Sequence, residues 1–348
     1  MSNFSLLIIA LYLITLISLI FGRFINIKLG NFVAILASLT TFIIASLRPA
    51  EFPDVDTYEL MFNLSSTGDF SNELFWLSHG EPGFKIISYF LYYCGANYNV
   101  FLLFMALLSY FLLLKISKIS KIPFSYLWFT YFSFYFITRD LGVIRLSIAS
   151  HLIVIMLLQR KLISQIITVT FASITFQYFS VLALAAPLLS RYKLSMYRVI
   201  FLLIISFYLS TYLNFDSILN LIPEKQLAVY YGTEQLSGAN TSIIPIIRNL
   251  LFALFLFFLY KKEVKLPMFN SWIWSAILSV SLYILSFNIV LISQRIGAYF
   301  GAIIPLALAY KLNRSKSSNF KFVLIAFICI LNFISVFYFN DFVWRLYP

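Results

Sequence analysis

Only 11% of the 348 residues are charged and 61% are hydrophobic, against roughly 25% charged in an ordinary soluble domain. Long apolar blocks recur from one end to the other, and no polar stretch is long enough to fold separately as a soluble domain of ~100 residues. Composition therefore excludes a soluble enzyme and gives an all-α, polytopic membrane protein, a single transmembrane domain over residues 1–348, whose net charge of +12 reads as basic cytoplasmic loops rather than as a nucleic-acid-binding face.

In chain order, apolar stretches able to span a bilayer of about 20 residues fall near 4–22, 30–47, 97–114, 122–138, 141–158, 162–176, 178–189, 199–213, 243–260, 270–292, 295–310 and 322–340, twelve in all. The first block, Phe4 to Phe21, has neither a positive leader nor a small-residue cleavage site, so it is expected to stay as a span. Residues 83–94, GFKIISYFLYYC, are apolar but short, and are expected to form a helix lying in the interface after the first large outer loop. The pieces 162–176 and 178–189 are also short and meet at Phe176-Gln177-Tyr178. The outer loops are 48–96 and 214–242. Cys94 and Cys329 form no CxxC pair, which sets disulfide and zinc chemistry aside.

Charge decides the orientation. With the N-terminus outside and 83–94 kept out of the bilayer, the inner loops hold seventeen basic residues against a single acid, Glu263. The outer side keeps eight basic residues against twelve acids. If 83–94 crossed, the lysines of KISKISK at 115–121 would move outside and later assignments would invert, so the positive-inside asymmetry supports the interfacial placement.

Inner lysines need no further account, but the basic residues on the acidic outer side do. Arg48 closes the second span, Arg139 closes the fourth, Arg145 lies one turn into the fifth, Arg248 one turn into the ninth, and Arg295 starts the eleventh. An arginine at membrane depth costs a few kcal/mol on insertion scales, so it faces a protein interior or wet cavity and has a partner. Snorkelling to headgroups accounts for Arg48 and Arg248 as well as function does. In RDLGVIR, residues 139–145, one straight helix would point the two arginines in different directions. A turn at Gly142 would let both approach one spot above a helix N-terminus, where guanidinium forks and free backbone N–H groups suit a phosphate or pyrophosphate. Asp140 would position one arginine by pairing with it.

The acids cluster as well, with seven of thirteen in residues 48–82. Asp54 and Asp56 alternate, as in a loop or short extended piece, and Glu81 precedes Pro82, which favours extended backbone. A carboxylate here is a candidate general base for a hydroxyl-bearing substrate, although a solvated acidic loop explains Glu51, Glu59, Asp69 and Glu73 equally well. The outer aromatics Tyr58, Trp76, Tyr98, Tyr230, Tyr231 and Trp344 read mainly as an interfacial belt. His151, about ten residues into the fifth span, reads as a packed core residue; His79 lies near Glu81 with its role open. No HExxH, P-loop or dinucleotide fingerprint occurs, so no cofactor is expected.

The order of these elements is similar to a known pattern: an arginine-ended second span, Asp54-x-Asp56-x-Tyr58, Glu81-Pro82-Gly83-Phe84, Arg145-x-x-x-Ala149, and Gln294-Arg295-Ile296-x-x-Tyr299-Phe300. It resembles the EpsG-like branch of the Wzy-type polysaccharide polymerases over nearly the whole chain. Members often carry a histidine in an H-x-S element where this chain has Gln177-Tyr178-Phe179-Ser180, so a histidine base is not carried over there. The resemblance implies transfer of a growing glycan from undecaprenyl diphosphate to the terminal sugar of a new undecaprenyl-diphosphate-linked repeat unit, at the periplasmic face of the bacterial inner membrane. The partners implied are these lipid-linked units, membrane lipids and a chain-length regulator. For such chemistry Arg139, Arg145 and Arg295, with Arg48, would bind the diphosphates, Asp56 or Glu81 would be the base, and Gln177 would be a polar contact. No metal is needed, since arginines neutralise the charge; Asp54 and Asp56 would be the oxygen ligands if an ion bound. The alternatives are a membrane glycosyltransferase using a sugar carried on a lipid monophosphate, and a flippase or transporter for lipid-linked oligosaccharide, which predicts charges along a path open to both sides.

Overall fold

The computed structural model describes residues 3–48, 52, 55–66, 81–192, 194–212, 243–260, 263, 267–286, 297–315 and 318–339. Among these residues every regular element is helical. Among the described residues five helices are long and apolar enough to cross a membrane: Phe4–Ile25, Ile27–Ser46, Tyr98–Ser120, Met268–Leu285 and Asn319–Tyr338. Shorter apolar helices occupy Ile144–Leu158, Leu162–Thr175, Tyr178–Leu189, Met196–Ser210 and Ile246–Tyr260. Arg295, at the start of the expected span 295–310, and the expected outer loop 214–242 lie outside the described residues.

Contacts divide the chain into two compact units. The first comprises Met1–Gly68, Phe84–His151 and Pro305–Pro348; the second comprises Asp69–Gly83 and Leu152–Ile304. In the first unit, α1 (Asn3–Ile20) packs on α2 (Ile27–Ser46), and α2 on α5 (Tyr98–Ser120). Between them in sequence come α3 (Val55–Ser66) and α4 (Pro82–Tyr93). Proline at the first position of α4 suits a helix start, where the N–H has no intrahelical acceptor. Its 12 residues reach only about 18 Å at 1.5 Å each, short of the ~30 Å hydrocarbon core.

The first unit is patterned inside out relative to a soluble protein. Thr15 and Ser18 of α1 and Ser38 and Thr41 of α2 are fully buried, while Leu13, Ile17, Phe32 and Leu36 are exposed. Where the outside is lipid, apolar side chains gain little by turning inward, and small residues let helix backbones approach closely. Gly30 is the extreme case: a Cβ there would collide with the backbone of Gly22 and lie 2.7 Å from the Ser18 carbonyl oxygen. The Thr15 and Ser38 hydroxyls bond carbonyls of their own helices at 2.8 and 3.0 Å, so they enter the interior without an unsatisfied donor.

The core of this unit is aromatic. Helix α6 (Phe124–Tyr131) runs directly into a π-helical segment, Phe132–Asp140, and the pair carries buried Trp128, Phe129, Phe132 and Phe136. Tyr12 stacks on Phe333 at 3.6 Å and hydrogen-bonds Ser133 at 2.9 Å, while Asn332 donates to the Ser133 carbonyl at 2.7 Å. The wide turns of a π-helix are common at functional sites, and this one ends in Arg139 and Asp140. After the turn at 141–143 comes α7 (Ile144–Leu158).

In the second unit, α8 (Leu162–Thr175) stops at Phe176, and a 3-10 segment, Tyr178–Leu184, leads into α9 (Ala185–Leu189). The expected break at Phe176-Gln177-Tyr178 is therefore present, with Gln177 extended at φ −160° and ψ 110°. Helices α9, α10 (Met196–Ser210) and α11 (Ile243–Tyr260) pack around α12 (Pro267–Leu285). Asn270 of α12 donates to the carbonyls of Ser190 and Tyr192 at 2.5 and 3.0 Å. Ser275 and Ser279 donate to the carbonyls of Phe300 and Gly297, each at 2.7 Å. The chain closes with α13 (Ile303–Arg314) and α14 (Asn319–Phe339).

Gly30→Leu is expected to lower the melting temperature of detergent-purified protein, because overpacking at a backbone contact costs about 1–3 kcal/mol. A thermal melt indistinguishable from wild type would contradict the close crossing of α1 and α2.

Candidate functional site

The first unit gathers charged side chains about the turn 140–142. Asp140 is buried, and each of its carboxylate oxygens is hydrogen-bonded. Ser109 of α5 and Ser147 of α7 donate to one oxygen, both at 2.6 Å, and Tyr131 of α6 donates to the other at 2.5 Å. One carboxylate thus ties together three helices. Burial pushes the Asp140 carboxyl up, and the three hydroxyls together with nearby Arg139 pull it back. The expected pairing of Asp140 with an arginine is replaced by this hydroxyl shell, with Arg139 acting through space. Because the Ser109 proton goes to Asp140, its oxygen accepts from His151 Nδ1 at 3.3 Å, which assigns the proton of that tautomer by elimination. The His151 ring also lies against Tyr131, with centroids 4.9 Å apart. His151 is a packed, hydrogen-bonded residue.

Three arginines surround the same turn. Arg48, just past the end of α2, donates from one guanidinium nitrogen to the carbonyl oxygens of Asp140, Leu141 and Gly142 at 3.4, 2.8 and 3.2 Å. Arg139 lies over the Tyr135 ring at 3.5 Å. Arg145, in the first turn of α7, lies 5.3 Å from the Phe84 ring and 5.6 Å from the Tyr58 ring, and Arg48 lies 5.8 Å from that same Tyr58 ring. All three are at most 6% exposed, so headgroup snorkelling does not describe Arg48. The faces of aromatic rings attract guanidinium, most strongly when both are withdrawn from water. Gly142 is where the chain must pass close to itself: a Cβ there would lie 2.6 Å from the Thr138 carbonyl oxygen.

Asp56 occupies the first turn of α3 and is exposed. The loop or short extended piece expected for Asp54 to Asp56 is thus helical from Val55 onward; a carboxylate in the first turn complements the positive end of the helix. Asp54, His79 and Arg295 lie outside the described residues.

In the second unit Glu81 is buried, and Gly83 packs on the end of α8, where a Cβ would lie 2.7 Å from Thr175 Cα. Two residues beyond Thr175, buried Gln177 accepts a hydrogen bond on its side-chain oxygen from the Tyr299 hydroxyl at 2.8 Å. Its amide nitrogen has no hydrogen-bond acceptor among the described residues. The unit therefore joins Gln177 to the tyrosine of the late Gln294–Phe300 motif and sets Glu81 two residues from the Gly83–Thr175 contact, while Arg48, Arg139 and Arg145 belong to the other unit.

Several participants escaped the sequence reading. Tyr58, assigned to an interfacial belt, is 1% exposed and sits between arginines. Ser109, Tyr131 and Ser147 looked like ordinary small or aromatic residues of apolar helices. Their signal was available only as polar groups at about the depth of Asp140. Lys85, counted among outer charges, is buried at 2% exposure. Among the described residues no cluster of three or more His, Cys, Asp or Glu could hold a metal ion.

Asp140→Ala leaves three buried hydroxyl protons without their acceptor and is expected to destabilise the protein by several times the ~1 kcal/mol of an ordinary lost hydrogen bond, as in Ser109→Ala. Melting curves of the two variants check this. Equal shifts would mean that the carboxylate is not the common acceptor.

The sequence model of the EpsG family matches residues 31–348. No curated protein and no solved structure matches the chain. The matched span begins in α2 and takes in Arg48, the turn at 140–142, Glu81, Gln177 and Tyr299. The chain belongs to the EpsG family, a family of Wzy-like, polymerase-type membrane proteins.

Proposed function

We propose that the protein is a polysaccharide polymerase of the O-antigen type, moving a growing glycan from undecaprenyl diphosphate onto the terminal sugar of a new undecaprenyl-diphosphate-linked repeat unit. The observation that carries this reading is the set of buried arginines about the turn 140–142. Three guanidinium groups gathered at one turn of an apolar protein suit an anion, and a lipid-borne diphosphate is an anion that a membrane protein meets. Family membership supports the class of reaction.

The acceptor hydroxyl attacks the anomeric carbon of the growing chain. The bond from that carbon to the diphosphate breaks, and undecaprenyl diphosphate departs with the electron pair. Arg139 and Arg145, with Arg295, neutralise the charge that develops on the leaving group, and donors placed in advance are worth most where water is excluded. Arg48 holds the turn through its carbonyls and adds its own charge. The hydroxyl proton passes to Asp56 or Glu81, the two candidate bases. Gln177, with an amide N–H to spare, contacts the sugar or its phosphate. The arginines can do the work a divalent ion would do, and the donor sugar is already activated, so the reaction needs neither metal nor nucleotide.

We read twelve spans of one transmembrane domain, with α4 in the interface, the loops 48–96 and 214–242 on the periplasmic side, and the protein in the inner membrane. A chain-length regulator is its expected partner.

Arg145→Ala and Arg295→Ala are each expected to abolish chain lengthening, a loss of at least about 10²-fold for a removed transition-state donor, with the protein inserted and folded. Lysine at either site rescues only partly, because it lacks the planar fork. Gel ladders of the glycan report the outcome, and a wild-type ladder from either folded alanine variant rejects the diphosphate assignment. In the deletion strain, single repeat units on the carrier are expected. Loss of one sugar from the unit would point instead to a transferase using a lipid monophosphate sugar.

Asp56→Asn and Glu81→Gln separate the candidate bases. The true base is expected to lose about 10²–10⁴-fold in rate with lipid-linked substrate still retained, and wild-type rates from both variants would exclude both.

A further inference from the structure

An open cleft of about 740 Å³ lies in the first unit between the second half of α3 and the junction of α4 with α5. Its size falls within the roughly 300–1,000 Å³ of small-molecule sites. Its chemistry is selective. The walls carry Tyr92, Tyr93 and Tyr98, the amides Asn63 and Asn99, and the carboxylate Glu59, with no lysine or arginine among the lining residues. An anion would find no countercharge here, and a hydrocarbon chain would strand three kinds of polar group.

The floor is fixed by packing. Phe62 is buried, with its ring 6.1 Å from Tyr92, 6.2 Å from Tyr98 and 5.1 Å from Phe101. The rim is presented outward: Tyr93 is 78% exposed and Tyr92 48%. Phenol rings with an apolar face and a polar edge, set beside amides that both donate and accept, match a ligand that alternates C–H faces with hydroxyl edges. That ligand is a saccharide.

The position of the cleft adds to this. Tyr98, on its inner wall, donates to the Val55 carbonyl at 3.0 Å, and its hydroxyl also lies within reach of Arg48. Arg48 in turn holds the carbonyls of the turn 140–142. Tyr98 therefore stands between a cleft lined by aromatic rings, amides and one carboxylate and Arg48 of the arginine cluster, the order found along a molecule whose sugar is joined directly to a diphosphate.

We infer that the cleft lined by Glu59, Asn63, Tyr92, Tyr93, Tyr98 and Asn99 is a saccharide subsite that holds sugars of the lipid-linked repeat unit while the arginines hold its diphosphate. This rests on the polymerase reading above and extends it to residues that the reading did not use. Tyr92 and Tyr93 stack on sugar faces, and Asn63, Asn99 and Glu59 take hydroxyls.

The test uses the full chain in detergent micelles and, as probe, the repeat-unit oligosaccharide released by mild acid from carrier lipid of a strain lacking this protein. Saturation-transfer NMR is expected to show transfer to the sugar ring protons with wild type. The double variant Tyr93→Ala/Asn99→Ala, changed only at exposed rim positions, is expected to bind about tenfold more weakly with an unaltered melting temperature, since a lost stacking contact of this kind is worth about a factor of ten. Tyr93→Phe keeps the ring and retains binding. Arg145→Ala is expected to bind the free oligosaccharide as wild type does, because the probe has no diphosphate. Wild-type binding by the double variant, no transfer with wild type, or displacement of the sugar by soluble glycerophosphoglycerol, a phospholipid headgroup, would each overturn the inference. If Arg145→Ala polymerises normally while the double variant still loses sugar, the diphosphate assignment falls and the saccharide subsite stands.

Discussion

The Asp140 carboxylate is the contact on which the first unit's charged site depends. It accepts hydrogen bonds from hydroxyls of α5, α6 and α7 at 2.5–2.6 Å, so three helices that could slide along one another in an apolar interior are held in register. Hydrophobic packing between helices in lipid is nearly indifferent to register, whereas a buried carboxylate is not. The same residue ends the π-helical segment and opens the turn whose carbonyls Arg48 holds. The placement of Arg139 and Arg145 on either side of that turn follows from this anchor.

Burying arginines in such a protein requires compensation from groups other than water. Part of it comes from carbonyl oxygens and ring faces: the carbonyls at 140–142 for Arg48, the Tyr135 face for Arg139, and the Phe84 and Tyr58 rings for Arg145. Arg139 also lies near the Asp140 carboxylate and acts on it electrostatically. Such contacts orient the guanidinium groups beforehand, and groups oriented in advance suit a site that stabilises developing charge.

The second unit shows a different economy. Gly83, Gln177 and Tyr299 come from distant parts of the sequence and pack where α8 ends, Gly83 on Thr175 and Tyr299 on Gln177. The break at Gln177 serves this directly: an unbroken helix would have turned its side chain away from a fixed neighbour and used its backbone groups internally, whereas the extended residue between α8 and the 3-10 segment frees the side chain to meet Tyr299.

Composition and hydropathy by themselves determined that the chain is helical and lives in a membrane, because only continuous helices satisfy backbone polar groups in lipid. The order of short motifs determined its family. The arginines at 48, 139 and 145 stood out from sequence because charge is rare and costly among apolar residues. Only the tertiary structure decided what surrounds them. The hydroxyls of Ser109, Tyr131 and Ser147 are common residues whose importance lies in converging on Asp140, and Tyr58 could pass for a belt residue until its ring was found beside two guanidinium groups. Likewise α3, expected as a loop because of its acids, is helical, since Val55, Tyr58, Met61 and Phe62 recur at helical spacing and bury one face. Local sequence reports the cost of a buried charge, but some of the partners that offset it, Ser109 for Asp140 and the Asp140 carbonyl for Arg48, are brought from 31 and 92 positions away, and that distance is closed only by packing.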